Sequence, residues 1–398
     1  MAKDARPAPG YLSGDDCRLD DLIEVVREET DPADYPHAGA VERGVLIYDS
    51  GRLRKEISGA EGRRDVAAEL ARALDDGPGI VVFTGAFDLG VVDRATDQFK
   101  AIIAGQRAAG GGAGDHFAQS GQNDRIWNAL EKLALRAPDV FVAYYANDIV
   151  ATVCQAWLGP GYQVTSQINV VNPGGAAQTA HRDYHLGFQS SVQAARFPAH
   201  VHRLSPALTL QGAVAHTDMP AETGPTMYLP HSQKYLPGYL AFHQPEFREY
   251  FEASHVQLPL SKGDAAFFNP ALFHAAGANR TAGVHRMANL LQVSSAFGRA
   301  MEAVDRASMS VALLPALRAM REAGAAPTMI ASAIAACAEG YAFPTNLDLD
   351  QPIDGLAPMT QAEILGQAVA DGWSQQRLEA ELGAWSSRRQ SQPPQGPR

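Results

Sequence analysis

His181 and Asp183 flank Arg182 in one tripeptide, and His274 closes the distant run Phe267-Phe268-Asn269-Pro270-Ala271-Leu272-Phe273-His274. Two imidazoles and one carboxylate can hold a divalent iron on one face and leave three positions open to other ligands. Arg286 follows a short way on. A guanidinium there can clamp the carboxylate of an acidic co-substrate through two parallel hydrogen bonds. Buried, it would be costly without an anion, and a bound dicarboxylate would supply one. The chemistry these four residues point to is oxygen activation at an iron centre.

The surrounding sequence must deliver them to one place. Tyr162 to Val171 alternates apolar and polar residues as a strand does and breaks at the turn Asn172-Pro173-Gly174-Gly175. A short loop, 176–180, then leads into His181. If that stretch is a strand, His181 and Asp183 share a face, because side chains two apart point the same way. Downstream, Lys262-Gly263-Asp264 reads as a tight turn, Ala265 to Phe268 as a buried strand, and Met287 to Val293 as a core strand with Arg286 at its start. Ala207 to Val214, Met227 to Leu229 and Val256 to Pro259 add strand signals. The expected fold is a mainly β core with flanking α-helices, a double-stranded β-helix (jelly roll, cupin-like) whose two sheets enclose a cavity.

Helices are expected on both sides of that core. Val66, Leu70 and Leu74 form an apolar stripe ended by Asp75-Asp76-Gly77-Pro78-Gly79, followed by a strand over 80–84 and a helix over 91–108. Asp139 to Leu158 reads as one long helix. Past residue 300 the periodicity is helical again over Val311 to Arg321, Thr328 to Glu339 and Gln361 to Trp385. The expected organisation is a partly ordered arm over 1–58, a catalytic domain over 59–299 with its jelly-roll core at 162–296, a helical extension over 300–385, and a disordered tail over 386–398.

These pieces, in this order and spacing, resemble the phytanoyl-CoA dioxygenase-like (PhyH) family of Fe(II)/2-oxoglutarate-dependent oxygenases. The resemblance covers roughly residues 60 to 296. It rests on Gly79-Ile80-Val81-Val82-Phe83, on Asn172-Pro173-Gly174 leading to His181-Arg182-Asp183, on Glu222-Thr223-Gly224-Pro225 through Pro230-His231-Ser232, and on Gly263-Asp264 through His274 with Gly277-Ala278-Asn279-Arg280 behind it. It departs from the family at Thr223, where Asn is usual, and at His231-Ser232-Gln233, where Gly-Ser-His is usual. What it implies is a set of iron ligands, His181, Asp183 and His274, and a 2-oxoglutarate clamp about a dozen residues beyond the distal histidine. Position 285 is histidine, so a one-residue insertion makes Arg286 the clamp, with Arg280 the runner-up in a turn where a solvated role is expected. Gln167 and Asn169 match positions that often touch co-substrate or substrate, and Thr226 and Gln178 are weaker candidates. The implied reaction consumes dioxygen and 2-oxoglutarate, releases succinate and CO2, and oxidises an unactivated C–H of a small molecule. Asp183 stands where a halide would bind, so hydroxylation is expected over halogenation.

Two other classes stay open: a cupin-like metal dioxygenase that uses no 2-oxoglutarate and does not need Arg286, and a non-catalytic relative that binds a small molecule. A protein-kinase catalytic loop is excluded, since Phe188 stands where that loop needs asparagine and no Asp-Phe-Gly follows. The run Gly110-Gly111-Gly112-Ala113-Gly114 lacks the lysine of a phosphate loop. It reads as a flexible loop at the site's mouth, with His116 behind it. Among the other histidines, His185 and His231 lie near the expected site as minor substrate-contact candidates, while His37, His200, His202, His216, His243 and His255 read as surface or satisfied core residues. Tyr184 and Phe188 are candidates to face the pocket. A formal charge of −11 with no basic patch argues against nucleic acid and anionic membranes. Three widely spaced cysteines suit a reducing cytoplasm and exclude a disulfide framework. The expected partner is a small-molecule substrate, with a homodimer through the helical extension as a further expectation.

Overall fold

The alternating run before the Asn172-Pro173 turn is the strand Gln163–Val171, paired antiparallel along its whole length with Arg286–Ser294. A computed structural model of the chain describes residues 10–110, 114–115, 118–119, 121–353 and 355–391. Among the described residues these two strands belong to an eight-stranded sheet. Its order is Ala40–Glu42, Val45–Asp49, Ile80–Thr84, Ala265–Phe268, Thr209–Ala215, Arg286–Ser294, Gln163–Val171, Asn123–Ile126. Neighbours run antiparallel except Val45–Asp49 beside Ile80–Thr84. A smaller sheet pairs Thr226–Leu229 with Val256–Gln257 on one side and Phe273–Ala276 on the other.

The two-residue period divides each sheet into a wet and a dry face. On the large sheet Ile168, Val170, Leu210, Val214, Leu291 and Val293 join the helices in the main apolar core. Gln167, Asn169, Gln211, Ala213, Ala288, Leu290 and Gln292, the residues between them, line a cavity. On the small sheet Met227, Leu229, Phe273 and Ala275 pack against Leu22, Phe247 and Phe251, while Thr226, Tyr228, His274 and Ala276 line the same cavity. Ile80, Val82, Tyr228, Leu258, Ala266 and Phe268 fill the space beside it with apolar contacts. Each such side chain contributes about 1.5–3 kcal/mol on burial, enough to hold the sheets together where the cavity does not.

Four expectations about the flanks change. Residues 10–58 do not form an arm: Val45–Asp49 enters the large sheet with Val45, Leu46 and Tyr48 buried, and Leu19–Val26 buries Leu22 under the small one. The expected helix Asp139 to Leu158 is two, Pro138–Tyr145 and Asp148–Leu158. Asn147 breaks it by accepting hydrogen bonds from the backbone N–H groups of Ile149 and Val150 (3.0 and 3.1 Å), a standard helix cap. The expected helix Gln361 to Trp385 also divides, into Gln361–Asp371 and Gln375–Arg388, the second capped by Ser374. That last helix runs past the expected start of the tail, and Arg389 donates to the Ala342 carbonyl at 2.9 Å; residues 392–398 lie outside those described. The glycine-rich stretch 111–113 and His116 also lie outside the described residues. Among the described residues no helix is long and apolar enough to cross a membrane.

Behind the large sheet, His216 is buried with both ring nitrogens engaged, Nδ1 with the Thr96 hydroxyl (2.8 Å) and Nε2 with the Tyr144 phenol (2.9 Å). Burial first, and Lys262 second, push its pKa down to about 3. In the unfolded chain the ring protonates near its ordinary 6.5. Between those values the unfolded state binds more protons than the folded one, so stability rises with pH across the window and is lost as pH falls through it. Urea unfolding at pH 7, 6, 5 and 4 should show His216→Gln with the flatter acid limb, by up to about 1.4 kcal/mol per pH unit. Equal slopes in wild type and variant would refute the assignment.

Candidate metal centre and its cavity

Only His181 of the expected ligand strand keeps extended pairing, in an isolated antiparallel bridge with His274. Each donates its backbone N–H to the other's carbonyl, at 3.0 and 3.1 Å. The strand reading of 181–183 fails beyond that point, because Tyr184 and His185 turn into the left-handed region (φ 62° and 37°). Non-glycine residues adopt that region at a cost, and it recurs at functional sites. Irregular as the loop is, it brings Asp183 to the same side as His181.

The three candidate ligand groups converge. His181 Nε2 lies 3.5 Å from Asp183 Oδ1, and His274 Nε2 lies 3.5 Å from Asp183 Oδ2. One donor atom from each residue falls within 4.8 Å of the others. Each imidazole is oriented from behind: His181 Nδ1 bonds the Thr179 carbonyl at 2.8 Å and His274 Nδ1 bonds the Leu272 carbonyl at 2.9 Å. A carbonyl accepts, so each Nδ1 carries a proton, which leaves Nε2 as the nitrogen that faces the cavity and that a metal would take. Burial holds the His181 ring below its ordinary pKa, with Asp183 opposing but not cancelling. Burial alone would raise the Asp183 carboxyl. The His181 and His274 rings and the Gln211 amide, at 2.5 Å, reverse this and hold it well below the usual carboxylate range. Two imidazole nitrogens and one carboxylate oxygen facing a cavity fit a divalent iron with positions to spare.

That cavity has a volume of about 110 Å³. Arg286 lies in its wall, 6% exposed, and has no ion pair among the described residues. Its Nη1 donates to the carbonyls of Thr223 (3.0 Å) and Gly277 (3.2 Å). Burial brings its pKa down to about 10, so it stays charged at neutral pH. Two backbones meet around this guanidinium because glycines stand at 224 and 277. A Cβ on Gly224 would sit 2.3 Å from the Ala278 carbonyl oxygen, and one on Gly277 2.9 Å from the Gly224 Cα.

Of the expected site residues, Gln167, Asn169, Gln178, Thr226 and Phe188 all line the cavity with His181, Asp183, His274 and Arg286. Arg280 does not: it is exposed, and its backbone N–H is taken by the Glu222 carbonyl. His231 lies elsewhere, buried against the Thr30 hydroxyl in a separate crevice, and His185 is absent from the cavity wall. Tyr184 is buried behind the wall, its phenol donating to the side-chain amide oxygen of Gln292. Sequence reasoning missed Arg125, Gln211, Gln292 and Met301, which also line the cavity. Gln211 and Gln292 had a signal: each is a polar residue inside an apolar strand run, and the register pairs them side by side.

No curated protein matches the sequence. Among solved structures, the chain resembles the non-haem alpha-ketoglutarate-dependent epimerase SnoN from nogalamycin biosynthesis, at 19% identity over 60% of this chain and 82% of that one, with a TM-score of 0.40. It resembles the carbocyclase SnoK from the same biosynthesis at 18% identity over 59% and 86%, TM-score 0.41. HygX from Streptomyces hygroscopicus, solved with nickel, 2-oxoglutarate and hygromycin B bound, is 14% identical over 57% and 88%, TM-score 0.40. The family model described as phytanoyl-CoA dioxygenase (PhyH) matches residues 76–288, which span Asn172-Pro173-Gly174, all three candidate ligands and Arg286. With more than half its length matched, the chain belongs to the phytanoyl-CoA dioxygenase family.

Proposed function

We propose that the protein is a non-haem Fe(II)- and 2-oxoglutarate-dependent dioxygenase that hydroxylates a C–H bond of a small molecule. The observation that carries this is the pairing, in one cavity, of an imidazole–imidazole–carboxylate set with a buried arginine that lacks an acidic partner among the described residues. Membership of the family supports it. With iron and 2-oxoglutarate bound, the centre supplies oxidation by dioxygen, with succinate and CO2 as the co-products.

The chain's own residues do the rest. His181 and His274 each offer Nε2, and Asp183 offers the anionic oxygen while Gln211 holds its other face. Asp183 also fills the position a halide would need, which favours hydroxylation over halogenation. Arg286 takes the far carboxylate of 2-oxoglutarate through the donors its carbonyl collar leaves over, beside Thr226 and Tyr228. Met219, Leu260 and Phe268 supply apolar wall to the cavity, Phe268 against the His274 ring. Gln167, Gln292 and Arg125 face the remaining space, where the substrate is held.

The two sheets serve as the double-stranded β-helix core of this domain. The helical extension beyond 300 serves as a wall of it: Arg306–Glu322 packs on the helices Ala129–Arg136 and Pro138–Tyr145, and Met301, just before it, lines the cavity. The same extension exposes Leu347, Ile353 and Leu356, the apolar surface through which a homodimer would form.

Anaerobic titration of the apoprotein with Fe(II) and 2-oxoglutarate tests the proposal without a known substrate. A visible metal-to-ligand charge-transfer band is expected in wild type and should be absent in His181→Ala. In Arg286→Ala the band should need at least about thirtyfold more 2-oxoglutarate, since losing one partner of a buried charge pair costs about 2–5 kcal/mol. Arg280→Ala, altered at an exposed position, should titrate like wild type. An iron-loaded wild type with no band would sink the 2-oxoglutarate assignment and bring forward a cupin-like dioxygenase or a binding protein.

A further inference from the structure

Arg182 stands between two of the proposed ligands yet does not line their cavity; it borders a separate crevice behind them. Its side chain is 2% exposed and has no ion pair among the described residues. One guanidinium nitrogen, Nη2, donates to the carbonyls of Ser232 (2.5 Å) and Tyr235 (2.8 Å). Its Cζ lies 5.2 and 5.0 Å from the ring centres of Tyr239 and Phe273, within cation–π range. Ser232 passes the connection on. Its hydroxyl donates to the Leu229 carbonyl (2.6 Å) and accepts from the backbone N–H of Phe273 (2.8 Å), the residue just before His274. The segments carrying His181, Asp183 and His274 are therefore joined in front by backbone bonds, the His181–His274 pair with Gln178 N–H to the Ala276 carbonyl (2.8 Å) and Asp183 N–H to the Pro270 carbonyl (3.0 Å) on either side of it, and behind by the side-chain link Arg182–Ser232–Phe273.

Residue 238 is cut to fit this arrangement. A Cβ on Gly238 would lie 1.9 Å from the Arg182 Cζ and 2.2 Å from its Nη2. Burying a guanidinium without a carboxylate is expensive, and a packing role alone is met more readily by an apolar side chain of similar length. A charge kept here at that cost, seated in a space that exists only because residue 238 lacks a side chain, fits a residue retained for geometry.

We infer that Arg182 is a positioning residue: by clamping the Ser232–Tyr235 turn it locks His181 and Asp183 in register with His274, presupposing the metal triad proposed above. Its removal loosens the donor set before metal arrives and so weakens metal binding. The clamp acts through backbone carbonyls, so lysine, which lacks the planar fork, substitutes only in part.

The full-length apoprotein can be titrated with Co(II), following the visible Co(II) absorption, with thermal melts and far-UV circular dichroism run in parallel. Arg182→Met should bind Co(II) about 10–100-fold more weakly, the usual effect of losing an outer support of a metal site, and should change the shape of the absorption. Arg182→Lys should fall between it and wild type. Gly238→Ala, which displaces the guanidinium without removing it, should reproduce the loss. Because both changes break one clamp, Arg182→Met/Gly238→Ala should bind no more weakly than the worse single variant. If Arg182→Met does not fold, Gly238→Ala and Arg182→Lys carry the same test. Folded variants that melt lower yet bind Co(II) with wild-type affinity and spectrum would overturn the inference, as would additive losses in the double variant. A wild type that does not take up Co(II) would instead count against the metal site itself.

Discussion

The pair of backbone hydrogen bonds between His181 and His274 is the constraint on which the site depends. Ladder bonds of this kind fix two residues opposite one another, and in doing so they set how far apart the two imidazoles can be. They also belong to no long strand. The small sheet ends at Phe273–Ala276, and His181 adds a single rung to its edge. Everything around that rung compensates for its shortness: carbonyls behind each ring, the Gln211 amide on Asp183, and the buried arginine between the ligands.

The rest of the architecture follows from giving two sheets opposite requirements. The large sheet must be apolar toward its helices and polar toward the cavity, and alternation along Gln163–Val171 and Arg286–Ser294 delivers both from the same strands. The small sheet does the same with fewer residues. Where the cavity is absent, Phe268, Leu258 and their neighbours close the gap with apolar contacts. Polar groups are thus concentrated where ligands are to bind, and the cost of leaving them without protein partners falls there too.

Much of this was legible in the sequence, for identifiable reasons. The strand Gln163–Val171 carries its period openly and stops at a proline turn. His274 and Arg286 are polar residues at the ends of apolar runs, and His181 and Asp183 follow closely on the turn at Asn172-Pro173-Gly174. What stayed hidden depends on contacts distant in sequence. Val45–Asp49 looks like a short apolar run in a polar arm, and pairing with Ala40–Glu42 and the distant Ile80–Thr84 makes it a strand. The break at Asn147 is written in a capping side chain set within an otherwise continuous helical pattern, so periodicity runs straight through it. The left-handed backbone at Tyr184 and His185 contradicts what both residue types prefer, and tertiary contacts impose it: the Tyr184 phenol is tied to Gln292. Arg125, Gln211 and Gln292 come together from three separate strands, and their meeting is a matter of register.

Arg286–Ser294 carries Arg286 at one end and Gln292 near the other, both on the cavity face of one continuously paired strand. Six residues of strand span on the order of 20 Å, and a strand held on both sides neither stretches nor slips without turning every side chain over. On the proposed assignment the strand is in effect a ruler: the grip on one end of the cavity and the recognition surface at the other are graduated on the same rigid edge. Diversification of such a protein toward new molecules would then proceed by recolouring the far marks while the interval between them is kept.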